Sequence, residues 1–182
     1  SDALNSQKHL ARELTERQIL WCFAVKSNHP KLYNEINYLF NHTDESRCCV
    51  EKSVDKGHGR IETRITHVLP ARLLSKELLR EWCGLENGCI IKATNIVERI
   101  DKPTTTETRY FIFSKKFDKP TSGEDCADVI RRHWSVETFH WLCDNVFYQD
   151  RIQIKNEVYL QNEILLSKVG INILTKCQES KR

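Results

Sequence analysis

R-R-H-W-S-V-E-T-F-H-W-L-C-D-N-V-F-Y-Q-D, residues 131–150, is the stretch that decides how the rest of the chain is read. Upstream, Pro120 stops what precedes it, and Thr121 with Glu124 three residues later forms a capping box. A helix of about six turns is predicted to follow. On a helical wheel His133, Glu137, His140 and Asp144 fall on one narrow stripe. Ile130, Trp134 and Trp141 flank it on one side, and Val129, Val136, Cys143 and Phe147 on the other, with Arg131, Ser135 and Thr138 on the far face. A solvated face does not run between apolar rows. Titratable groups set inside an apolar face need a partner, because an isolated buried charge is costly. That partner is a metal ion, another charged side chain or a phosphate.

Working outward, 182 residues suffice for one sizeable core with an appended subdomain. Hydrophobic content of 40% and charged content of 29% describe an ordinary soluble globular protein. No apolar run approaches bilayer length and S-D-A-L-N-S-Q-K is no signal peptide, so a cytoplasmic location and no membrane partner are expected. A net charge of +3 is too weak to imply nucleic acid by itself; local patches must carry that argument. The eight cysteines are scattered without a C-x-x-C pair, and reduced thiols are favoured over a zinc site. The absence of methionine leads to the expectation that the chain is part of a longer protein.

Three regions are expected: residues 1–44, 45–118 and 119–182. In the first, Asp2 is placed to cap a helix running to about Arg17. The continuous apolar run Ile19 to Val25 then reads as a strand inside a sheet covered on both faces, and Lys31 to Phe40 as a second helix. Helix, buried strand, helix is an α/β signature. Asn41 to Asp55 is polar and turn-rich. The middle region is β-rich: Ile61 to Val68 alternates as a half-exposed strand. Arg72 to Trp82 forms a short helix capped by Gly84, and Cys89 to Ile100 and Thr105 to Ser114 form a hairpin across Asp101 to Pro103. Glu157 to Cys177 is a final helix.

Each motif has a plain alternative. Asp2 taken alone is a helix N-cap, and Glu137 is as well explained by a salt bridge as by a metal. His133, Glu137 and His140 form a zinc set only weakly, since H-E-x-x-H is absent and a structural His–Glu–His network outranks it. Lys56 to Arg64, K-G-H-G-R-I-E-T-R, places cations on a glycine-flexed turn, where a backbone can approach a phosphate; a solvated β-turn with its usual charges is the competing reading.

Taken together, the segments resemble the insertion-sequence transposases of the H-repeat-associated (ISAs-type) family. The matching pieces are Asp2-Ala-Leu-Asn-Ser-Gln, Phe23-Ala-Val-Lys26-Ser-Asn28-His-Pro30, Lys56 to Arg64, and Arg109-Tyr-Phe-Ile-Phe-Ser114. They continue with Arg131 to Glu137, His140-Trp141, Asp144 to Asp150 and, more weakly, Asn172-Ile-Leu174. Position 29 is His where the family usually has Gln, Gln149 stands where Glu is usual, and the step from Glu137 to His140 is one residue short.

The resemblance implies an RNase H-like DDE core lacking its N-terminal strands, with a β-rich insertion before the helix bearing the last acid. Asp2 would match the second acid and Glu137 the third, both holding Mg²⁺ or Mn²⁺, two ions in the intact enzyme. The first acid would lie upstream, leaving this piece inactive alone. His133 and Arg132 would orient phosphate or carboxylates. Lys56, His58, Arg60 and Arg64, with Lys26 and Asn28, would contact DNA, the transposon ends and target. The intact enzyme would be a homo-oligomer. Rival readings are a non-catalytic DNA-binding remnant and the zinc-site protein.

Overall fold

The computed structural model describes residues 7–57, 59–119, 121–146 and 156–179; the side chains of 133–142, 157 and 174–179 lie outside the described set. The elements run α1 (Lys8–Glu16), β1 (Cys22–Val25), α2 (Pro30–His42), β2 (Cys49–Gly57), β3 (Arg60–Pro70), α3 (Lys76–Glu81), β4 (Cys89–Arg99), β5 (Lys102–Phe113), α4 (Ser122–Asn145) and α5 (Glu157–Glu179). Single 3₁₀ turns occupy Glu45–Arg47 and Ala71–Leu73. The five strands form one antiparallel sheet in the order β1-β5-β4-β3-β2. The first region and the β-rich middle therefore share a sheet, through β1 on β5.

Period-2 alternation sorts the strand residues onto two faces. Phe23, Ile112, Ile90 and Leu69 lie opposite one another in one row across β1, β5, β4 and β3. They belong to the core with Trp21, Leu32, Ile36, Leu78 and Trp82, supplied by the segments of α1 to α3. In α2 the inward pair Leu32 and Ile36 is one helical turn apart, and Tyr110 Oη donates to Asn37 Oδ1 at 2.8 Å to tie the helix to β5. The alternate residues Cys89, Ile91, Phe111, Phe113 and Val68 are buried as well. The start of α4 covers that side: Cys126 and Ile130 are buried, and a Cβ built on Gly123 would touch the Cβ atoms of Glu51 and Cys49 on β2. This is why C-I-I and Y-F-I-F read as unbroken apolar runs. Beyond them the strands outrun the core; the first seven residues of β5 are exposed.

The run Ile19 to Val25 corrects the sequence reading. Only Cys22–Val25 is a strand, and it lies at one end of the sheet order; Ile19 is 49% and Leu20 61% exposed. The reason is how α1 ends. Gln18 has φ 57°, its N–H donates to Thr15 O at 2.9 Å and that of Ile19 to Leu14 O at 2.9 Å, which is a Schellman motif. The backbone of Ile19 is committed to the helix end, so extension starts later. Cys49–Gly57 also corrects the turn-rich reading of that stretch. As an edge strand it is exposed at most positions, and no apolar alternation marks it. The β4–β5 turn sits at Ile100 and Asp101, earlier than expected, with Arg99 opposite Lys102.

Gly84 explains how α3 closes. Its φ of +84° suits glycine, and a Cβ there would run into the Thr15 side chain. Thr15 Oγ1 donates to Ala11 O at 2.7 Å and accepts from Trp21 Nε1 at 3.0 Å, so this contact pins α1, Trp21 and the end of α3 together.

The chain forms two compact units, residues 1–130 and 131–182. Of the second unit, α5 is continuous from Glu157, and Cys143 and Ile171 are buried. The seven described cysteines are free.

Candidate functional site

The helix predicted from residues 131–150 exists: α4 is unbroken from Ser122 to Asn145. Its start is fixed by the Asp118 N–H donating to Ser122 Oγ at 2.8 Å, and by an ion pair of 2.5 Å between Lys115 and Asp125 in its first turn. The Lys115 hydrogen bond holds the Asp125 carboxyl below its usual range. An unbroken helix keeps positions 133, 137, 140 and 144 on one stripe. The side chains of His133, Glu137 and His140 lie outside the described residues, as do Asp2 and His58 altogether. Arg132 is exposed and Asp144 half-buried. Among the described residues no group of three or more His, Cys, Asp or Glu is placed to hold a metal ion.

Lys26 and Asn28 occupy the turn that leaves β1 for α2, closed by the His29 N–H donating to Lys26 O at 3.0 Å. Both are exposed. Asn28, Lys31, Lys8, Glu81 and Trp82 border a cavity of about 290 Å³. Lys8 and Glu81 are ion-paired across it at 2.6 Å. The Trp82 indole N–H is buried with no hydrogen-bond partner among the described residues.

The basic turn is a β-hairpin, with Gly57 opposite Arg60 and Gly59 at φ +72°. Lys56 and Arg60 are exposed on it. Arg64 is placed differently. Its guanidinium bonds Asp55 on β2 and Glu62 on its own strand, while Arg60 Nε pairs with Glu62 at 2.7 Å. Glu62 is thus shared by two arginines and is only 15% exposed in its side chain. This network braces the hairpin and fixes the direction of Arg60.

One feature was not legible in the sequence. Arg60 lies directly opposite Arg99, and Arg99 opposite Lys102. The β4–β5 tip therefore stands beside the basic turn, and a hollow of about 580 Å³ is lined by both, including Lys56, Arg60, Ile61, Arg99 and Ile100. The sequence signal available was the pair of cations flanking Ile100-Asp101; strand register, which sequence does not display, supplied the rest.

Along 187 aligned residues, 99% of this chain, the identity is 27% to "Putative transposase YncI" of Escherichia coli O157:H7. Along 185 residues, 96% of this chain, it is 30% to "Putative protein YbfL" of Escherichia coli strain K12. The chain is thus similar along nearly its whole length to a protein named as a putative transposase. It spans about half the length of the curated relatives it matches, 46% of each. No protein-family model matches the chain, and no solved structure matches it. No described helix is long and apolar enough to cross a membrane.

Proposed function

We propose that this chain is the C-terminal part of a DDE transposase of the H-repeat-associated type, acting on DNA to cut and join the ends of an insertion sequence. The observation that carries the reading is homology along nearly the whole chain to a protein named as a transposase, with the Arg131–Glu137 motif on an uninterrupted helix. DDE chemistry, an RNase H-like core and homo-oligomerisation rest on the family resemblance alone.

In this reading Asp2 and Glu137 are the ligands this chain contributes. The donor set is oxygen only, which suits Mg²⁺ or Mn²⁺. A bound pair of such ions activates the attacking oxygen and stabilises the leaving one. Glu137 would come from α4, the helix whose first turn is ion-paired to the segment after β5. Arg132 and His133, one turn earlier on the helix, orient phosphate or the acids. Lys56 and Arg60 neutralise the DNA backbone, with Lys26 and Asn28 doing the same at the end of β1. The third metal-binding carboxylate comes from the longer protein, and this chain alone does not cut.

The test is strand cleavage of an end-bearing duplex by the full-length protein with Mg²⁺. Cleavage lost in both Asp2→Asn and Glu137→Gln supports the reading. Duplex binding with no cleavage by the intact protein, whatever the divalent ion, would make it a DNA-binding remnant instead.

A further inference from the structure

We propose that the β4–β5 tip, with the β2–β3 tip beside it, is a duplex-DNA contact that enters a groove with Ile100 leading and Arg60, Arg99 and Lys102 gripping phosphates. This rests on the reading of the chain as part of a DNA-acting transposase and names which surface meets the DNA. Three observations carry it. First, the last row of the sheet sets Arg60 opposite Arg99 and Arg99 opposite Lys102, three cations abreast, with Glu62 pairing Arg60 from behind and Asp101 in the turn. Like charges directly opposite one another destabilise a sheet, so the row makes physical sense against a polyanion. Glu98 lies one row back, paired with Ile61, and alternation points it to the other face.

Second, Ile100 is 88% exposed at the apex of a two-residue turn, where a β-branched apolar side chain gains nothing from the fold. At the bottom of a groove it would meet base edges and thymine methyls. Third, the strands here outrun the core: the distal part of β5 is exposed from Lys102 to Thr108, and the β2–β3 and β4–β5 tips end the sheet side by side. The β4–β5 tip by itself is two strands across, a width that the major groove, roughly 12 Å wide, admits. Lys56 on β2, in the row behind and on the opposite face from Arg60, is placed to serve the second backbone flanking the groove.

The test is fluorescence anisotropy of this chain on a labelled duplex of about 20 base pairs, titrated across 50–200 mM KCl. The variants are Arg99→Gln with Lys102→Gln, Ile100→Ser, and Lys116→Gln as an exposed cation at the other end of β5. The double variant is expected to bind at least tenfold more weakly at 50 mM KCl and to lower the slope of log K against log salt by about 2, near 0.9 per lost phosphate contact. Ile100→Ser should weaken binding several-fold with the slope unchanged, and Lys116→Gln should match the parent. All four positions are exposed, and a urea melt on each variant confirms folding. A double variant with the parent's affinity and slope overturns the proposal while leaving the transposase reading intact. Absence of duplex binding by the unmodified chain overturns the proposal, while the transposase reading stands or falls with cleavage by the full-length protein, and equal binding of single-stranded DNA overturns groove insertion.

Discussion

Lys115 Nζ stands 2.5 Å from Asp125 Oδ2, and this ion pair fastens the segment leaving β5 to the first turns of the helix that carries Glu137. The pair is partly exposed, at 40% and 34% of the two side chains, so solvent screens it. Because the folded-state pKa of Asp125 is lowered, its contribution is present above the unfolded carboxylate value, about 3.9. It is lost as pH falls through the folded value. Lys115→Met should therefore cost about 0.2–1 kcal/mol at pH 7. Urea melts of parent and variant should converge well below pH 3.9; a gap that persists there would mean that Lys115 acts through packing.

Arg64 should behave as a brace. Removing it strands the half-buried carboxylate of Glu62 beside Arg60 alone, and Arg64→Ala is expected to cost about 1–3 kcal/mol in a urea melt. The salt slope of duplex binding should stay where it was. An unchanged melt with a slope lower by about 0.9 would return Arg64 to the DNA contacts.

Among the described residues β1 comes last in the sheet order, next to β5 and beside the exposed Ile19 and Leu20. Open apolar edges recruit strands. The isolated chain is expected to self-associate in sedimentation velocity as concentration rises, and a strand supplied from the rest of the longer protein should suppress this. A monomer at high concentration with one cooperative melt would show that the edge is already protected.

Central packing can be probed at Ile112, fully buried in β5 between Phe23 and Ile90. Ile112→Ala should lower stability by about 2–5 kcal/mol, the range for emptying a core position. A loss under 1 kcal/mol would mean that neighbouring strands collapse into the space.

How far sequence reached depended on what each segment buries. The strands from Cys89 and toward Phe113 were legible because both faces are covered and the apolar runs are dense, and the long helix from Ser122 because its periodic run follows Pro120. β2 was not, since an exposed edge strand takes its place through backbone pairing to β3. Ile19 and Leu20 misled because composition says strand, whereas a left-handed Gln18 turned the chain there to close α1. Of the proposed site, the Lys56–Arg60 hairpin was visible as glycine and charge. Its juxtaposition with Arg99 and Lys102 was not, because register is set by pairing across the whole sheet. The use of Arg64 inside the hairpin likewise depends on where Asp55 and Glu62 fall on adjoining strands.

The most direct test of a metal-holding Glu137 is Glu137→Gln in the full-length protein, with strand cleavage and a denaturant melt measured on the same preparation. The substitution keeps the shape and removes the charge. The account predicts that cleavage is abolished while duplex binding survives and stability changes little or rises, since crowded carboxylates repel without metal. A variant that still cuts DNA but is destabilised by about 3 kcal/mol or more would contradict it and make Glu137 the structural partner of a buried cation.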